Sequence, residues 1–265
     1  MIGLFDSGLG GLTVVRRVRE RLPKADLVFF ADQAHVPYGD RAPADLDRLM
    51  RANMSWLDAR GVEAIVVACN TSCAIADAYG WPPTRARIFD LIESATVALQ
   101  RAGAHRIGIV ATAATARSGA YGRRVRAAVA GSEVFEVAAP ALVPLVEAGK
   151  IAGEEPREAV AAVCSQLPPD LDAVVLACTH YPVLEEHFIA ALGSGVPLID
   201  PALVHAERVA AFVGASGGAE GSGTTRYYTN GDVALFRRNV ARIVNEAEPL
   251  VEECAALALE LDGRA

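Results

Sequence analysis

A chain of 265 residues, 52% of them hydrophobic, is long enough for one large core or two modest ones, and two domains is the expectation at about 100 to 150 residues each. Its formal net charge of −7 argues against nucleic acid or an anionic membrane as partner, so an anionic ligand has to be held by local donors. No basic segment precedes a long apolar run and no run is of membrane-spanning length, while five scattered cysteines, an odd number, fit a reducing compartment, so a cytoplasmic protein is expected.

In chain order, short apolar runs alternate with longer segments of helical period, which predicts an α/β fold with mostly parallel strands covered on both faces. Strands are expected near residues 2–5, 26–31, 63–68 and 88–92, with helical segments between them such as 11–21 and 44–60. A second set follows near 106–110, 133–137, 172–177 and 196–199. Beyond it, the Gly/Ser-rich stretch 214–223 reads as a connector, "TRYYTNGD" as a strand with its turn, and residues from about 232 to 246 as a helix.

The two sets look like copies. Aligning "MIGLFDS" with "RIGIVAT" places Ile2 on Ile107, aligning "VVACNT" with "VLACTH" places Cys69 on Cys178, and aligning "LIE" with "LID" places Ile92 on Ile199. Three landmarks in one order at nearly constant spacing imply an internal duplication. Two similar lobes are therefore expected, one built from residues 1–95 with the tail 206–265 and the other from 96–205, facing each other across a cleft.

Ligand sites of open parallel sheets lie beyond the carboxyl ends of the strands. Cys69 and Cys178 each end an apolar run there, and each is expected to precede a helix N-terminus that favours a thiolate. Two thiols facing each other across a cleft are suited to inverting a stereocentre, because one can remove a proton from one face of a carbon while the other delivers a proton to the opposite face. A thiol can be tuned for that role, its ordinary pKa being about 8.5. His180 is the expected helper of Cys178 and Asp6 that of Cys69. Against this stands the bland reading in which a buried cysteine is inert packing; it is kept for Cys73, Cys164 and Cys254, which lack such company. A zinc site from Cys69, Cys73, Cys178 and His180 would need spacings unlike the usual ones.

The start "FDSGLGGLTVVRRVRERLPKADLVFFAD" imitates a dinucleotide-binding unit, but Thr13 stands where the third glycine is required and Asp6 sits where pyrophosphate would approach. The glycines are read instead as permitting a tight turn and close approach of the backbone to a smaller ligand. Ser7, Asn70, Thr71, Thr112, Thr115 and Thr179, with "VPYGDR" at 36–41, supply neutral donors near helix starts, a way to hold carboxylates without arginine. Arg117, Arg123, Arg124 and Arg126 read as a solvated helix face.

With these residues placed, "FDSGLGGLTV", "VPYGDR", "VACNT", "ATAATARSGAY" and "CTHYP", followed by "YYTNGD", resemble in order the motifs of glutamate racemases in the cofactor-independent aspartate/glutamate racemase superfamily. The resemblance covers essentially the whole chain. It implies two α/β lobes related by pseudo-twofold symmetry, with L- and D-glutamate interconverted in the cleft between them without PLP or metal and D-glutamate passing to peptidoglycan synthesis. It further implies Cys69 and Cys178 as the two bases, assisted by Asp6 and His180. Ser7, Tyr38, Gly39, Asn70, Thr71, Thr112, Thr115, Thr179 and His180 would line the substrate pocket, with Glu93 at its edge. Relatives are often dimers, so a homodimer is expected. Thr71-Ser72-Cys73, Ser94 and His35 depart from the usual pattern without touching a proposed base. A racemase of aspartate or another small acidic amino acid, and a non-catalytic regulatory relative, are the alternatives.

Overall fold

The structure, a computed structural model, describes residues 1–216 and 221–254. The first half of the chain runs β1 (Ile2–Asp6), α1 (Gly11–Arg21), β2 (Leu27–Ala31), α2 (Pro43–Asp58), β3 (Ala64–Val67), α3 (Asn70–Tyr79), β4 (Arg87–Asp90) and α4 (Leu91–Ala102). The second half follows with β5 (Arg106–Ala111), α5 (Ala113–Ser118), α6 (Ala120–Ala128), β6 (Glu133–Ala138), α7 (Leu142–Glu147), α8 (Glu154–Cys164), β7 (Ala173–Ala177), α9 (Glu185–Leu192), β8 (Leu198–Ile199) and α10 (Pro201–Ala215). The tail supplies β9 (Thr225–Thr229), α11 (Val233–Val244) and β10 (Leu250–Glu253). Residues 217–220 of the expected connector lie outside the described residues.

The strands form two sheets, ordered β10-β9-β2-β1-β3-β4 and β6-β5-β7-β8, and every pairing is parallel. The order β2-β1-β3-β4 in the first sheet reappears as β6-β5-β7-β8 in the second, the outcome a duplication requires. Register agrees as well: Ile2 pairs with Ala64 and Ile107 with Ala173, so each cysteine follows five residues after an equivalent rung. The third landmark shifts. The first sheet's strand ends at Asp90, whose carboxylate accepts from the amides of Ile92 and Glu93 and caps α4. "LIE" is therefore the first turn of a helix, and the equivalent of Asp90 is Asp200, which caps α10 in the same way.

Central strands β1, β3 and β7 are buried along their whole length, as their uninterrupted apolar runs predict for strands covered on both faces. Each such side chain withdrawn from water stabilises the fold by roughly 1.5–3 kcal/mol before the entropy of ordering is charged against it. One apolar cluster runs from Phe5, Ile65 and Val67 through Ile92, Ala95 and Tyr121 into Ile107 and Val175. Because that core is continuous from one sheet to the other, it fixes where the strand ends of the two sheets stand relative to each other. The tail extends the first sheet: β9 pairs with β2 and β10 with β9. Strand β10 was not expected from "PLVEE", since only Val251 of its four residues is buried and alternation with glutamate leaves little apolar signal at an edge.

Among the described residues no helix is long and apolar enough to cross a membrane.

Candidate active site

The carboxyl ends of β1, β3, β5 and β7 converge on a cleft of about 510 Å³, its open mouth included. Asp6, Ser7, Tyr38, Gly39, Cys69, Asn70, Thr71, Thr112, Cys178, Thr179 and His180 all line it, together with Val36, Pro37, Asp40, Ala113, Pro140 and Val143. Cys69 arrives from the first sheet and Cys178 from the second, both nearly inaccessible at 3% and 6% exposure. Thr115 stands behind the wall, bonded to Thr71 at 3.2 Å and Thr112 at 2.9 Å. Glu93 is not brought to the cleft; it forms an ion pair with Arg208 of α10 at 2.5 Å, because the capping of α4 by Asp90 turns its side chain toward that helix.

The surroundings of the two sulfurs differ. Cys69 is the residue before α3, at the positive end of that helix, and its thiol donates to Ser7 Oγ at 3.9 Å. Burial, reinforced by the nearby Asp6 carboxylate, pushes it up to about 12, so it rests as a thiol. Asp6 ends β1; its Oδ2 accepts from the amides of Gly8 at 3.2 Å and Gly11 at 2.8 Å, while its buried Oδ1 has no partner among the described residues. Burial raises Asp6 to about 6 against the pull of His180 and those amides.

Cys178 does not precede an α-helix. A 3₁₀ turn, Tyr181–Leu184, follows it, with the Tyr181 amide donating to the Cys178 carbonyl at 3.0 Å, three residues back rather than four. Its support comes from His180 instead, whose Nδ1 lies 3.6 Å from Cys178 Sγ and whose Nε2 lies 2.6 Å from Glu147 Oε1. Burial alone would lower the imidazole, but the bonds to Cys178 and Glu147 outweigh it and hold His180 well above its ordinary value. Protonated, the ring donates from both nitrogens, to the sulfur on one side and the carboxylate on the other.

Glu147, which meets His180 Nε2, was not singled out by the sequence reading. It closes α7 in "LVPLVEAG", where nothing local distinguishes it from a solvated helix end. Its Oε1 also accepts from the Leu9 amide at 3.1 Å, so it ties the glycine turn after β1 to the second sheet. That turn explains the glycines. A Cβ on Gly8 would meet Glu147 Oε1 at 2.7 Å, and one on Gly10 would meet Thr179 Oγ1 at 2.4 Å and His180 Nδ1 at 2.6 Å. The close approach is therefore to the other half of the protein, where the sequence suggested a small ligand.

Polar side chains cross between the halves elsewhere. Thr71 and Thr112 are 3.0 Å apart, and Tyr121 donates to Asn70 Oδ1 at 2.5 Å, which fixes the amide so that Nδ2 remains free to donate. Tyr38 donates to Asp32 at 2.5 Å and accepts from Asn53 at 3.0 Å. Burial, with Asp32 beside it, pushes the phenol well above its ordinary range, so it stays a neutral donor. Cys73 turns away from the cleft, its sulfur 3.9 Å from the Val67 carbonyl and accepting from the Leu91 amide at 3.4 Å. Among the described residues no group of three or more His, Cys, Asp or Glu side chains is placed to hold a metal ion.

Residues 12–209 match the family described as Asp/Glu/Hydantoin racemase. The chain belongs to that family. Its relatives include the glutamate racemase of Gloeobacter violaceus, 39% identical over 237 residues that span 89% of each chain. Among solved structures, the glutamate racemase of Francisella tularensis in complex with D-glutamate superposes with a TM-score of 0.89, at 27% identity and covering 96% of this chain and 97% of that one. The glutamate racemase of Thermus thermophilus in complex with β-chloro-D-alanine does so with a TM-score of 0.83, at 35% identity and covering 96% of both. The family's α/β architecture is thus the one built here from two parallel sheets.

Proposed function

We propose that this protein is a cofactor-independent glutamate racemase working in the cytoplasm, and that its D-glutamate serves peptidoglycan synthesis. The observation that carries the reading is the meeting in one cleft of two cysteines from equivalent strand ends of two sheets, each with its own ionisable neighbour. The names and complexes of the relatives point to glutamate as the substrate. The division into two lobes, residues 1–95 with 206–265 and residues 96–205, belongs to the same reading. It is supported by the repeated strand order and by the tail's strands joining the first sheet.

In one direction Cys178, with His180 Nδ1 3.6 Å from its sulfur, takes the Cα proton while the Cys69 thiol delivers its own to the opposite face; the reverse reaction exchanges the roles. Asp6, a carboxylate above a pH of about 6, stands beside Cys69 to balance and relay its proton. His180 does so for Cys178, with Glu147 holding the ring in place. As the proton leaves Cα, negative charge spreads onto the substrate carboxylate, and the hydroxyls and amide of Ser7, Asn70, Thr71, Thr112 and Thr179 are the preorganised donors for it. With no arginine lining the cleft among the described residues, charge is held there by dipoles rather than by a fixed cation.

The test is purified protein with L-glutamate and no added PLP, followed by circular dichroism, with L-aspartate and other small acidic amino acids in parallel. The reading requires the glutamate signal to decay to zero. Faster loss with aspartate would reassign the substrate, and no loss with any amino acid would leave a non-catalytic relative.

A further inference from the structure

The segment Val36–Asp40 contributes five of the residues that line the cleft, yet it belongs to no strand or long helix. Something outside it has to hold it still. Its base is gripped by the tail. Asn230, just after β9, accepts from the Ala34 amide through Oδ1 at 2.9 Å and donates through Nδ2 to Asp32 Oδ1 at 2.6 Å. Its neighbours lock the same strand end: Thr229 donates to Gln33 Oε1 at 2.7 Å, and a Cβ on Gly231 would meet Gln33 Cβ at 2.7 Å. Asp32 then passes the constraint on, because its two oxygens also take the His35 ring nitrogen at 2.6 Å and the Tyr38 hydroxyl at 2.5 Å.

We infer that Asn230 is a positioning residue for glutamate binding, acting through Asp32 to set the place of Tyr38 and of the loop that carries it over the cleft. The tail is then a component of the active site. Asp32 is 1% exposed, so the partners that satisfy this carboxylate are built into the fold rather than borrowed from water. Without the Asn230 amide, Asp32 loses one of its donors and the Ala34 amide its acceptor, and the loop's base is free to shift. A displacement of that kind weakens the hold on substrate before it touches the chemistry at the sulfurs.

The inference rests on the racemase reading, and Asn230→Ala tests it by three measurements on the full-length protein. First, KM for glutamate rises about ten-fold while kcat stays within about three-fold of wild type, the pattern of lost uniform binding. Second, Cys69 and Cys178 are alkylated by iodoacetamide several-fold faster in the absence of substrate, a readout that needs no turnover. Third, Asp32→Ala raises KM as well, and the double variant is no worse than the worse single one, since both act on the same loop. If Asn230→Ala does not fold, Asn230→Asp, which keeps the acceptor for Ala34, is measured against the same criteria. An unchanged KM in a folded variant, or KM increases that multiply in the double variant, overturns the inference. Wild-type protein that does not racemise glutamate defeats the racemase reading instead, and the alkylation rates still report on the loop.

Discussion

His180 Nε2 lies 2.6 Å from Glu147 Oε1, on the side of the ring away from Cys178 Sγ, which is 3.6 Å from Nδ1. An imidazole held between a carboxylate and a sulfur is oriented and kept charged at once. Glu147→Gln keeps the shape and removes the charge, so kcat is expected to fall roughly 10- to 100-fold with little change in KM. Kinetics of the purified variant check this.

The same pair sets a pH window for stability. His180 is raised, so its contribution is complete below its ordinary 6.5 and is lost as pH rises through the raised value. Glu147 is lowered despite burial, chiefly by its bond to His180, so its contribution is complete above 4.5 and is lost as pH falls through the lowered value. The gap in thermal stability between wild type and Glu147→Gln is therefore largest between pH 4.5 and 6.5 and narrows on either side. About 1–2 kcal/mol is expected at its widest, since Glu147 is partly exposed.

Asp6 trades stability for reactivity. Burial raises it from 3.8 to about 6, so the fold prefers it neutral, and stability falls as pH rises from 3.8 through about 6. At neutral pH the ionised group costs the fold up to about 3 kcal/mol. Asp6→Asn is expected to raise Tm at pH 7.5 while lowering kcat at least about 100-fold, because Cys69 loses its ionisable neighbour. Thermal melts and kinetics on one preparation give both numbers, and a variant that is less stable at neutral pH contradicts the cost.

Gly10→Ala puts a methyl where Thr179 Oγ1 would be 2.4 Å and His180 Nδ1 2.6 Å away. The turn and the second sheet must move apart, which costs about 1–3 kcal/mol of stability. Because His180 is one of the atoms displaced, kcat is expected to fall by about 100-fold. A spectrum of the folded state with the activity of the same sample separates the two effects.

Tyr121→Phe leaves Asn70 Oδ1 buried without its donor. The amide is then free to rotate and its fixed Nδ2 donor is lost, so KM for glutamate is expected to rise by about five- to thirty-fold with the fold retained. The comparison is wild type against variant at saturating and subsaturating glutamate.

Strands β1, β3 and β7 were legible because each is buried on both faces and so is written as an unbroken apolar run. That Cys69 and Cys178 would come to one cleft was legible because they end two of those runs at matching rungs, and the same placement for Asp6 and His180 because one ends the first strand and the other lies two residues after Cys178. Glu147, Asp32 and Asn230 are joined to their partners by contacts between residues far apart in sequence, and local pattern carries no trace of such contacts. The "LIE" to "LID" alignment failed for a related reason. Three apolar-to-acidic letters look alike at a strand end and in a first helical turn, and only the capping by Asp90 tells them apart.

The central claim is that two sulfurs, not one, handle the Cα proton, and its most direct test is racemisation of L-glutamate in D2O stopped after a small fraction of turnover. Two bases deliver a solvent-derived proton to the face opposite the one deprotonated, so the D-glutamate formed should carry deuterium at Cα while the remaining L-glutamate stays unlabelled. D-Glutamate that retains the substrate's own hydrogen would show a single group returning it to either face, and would contradict the account.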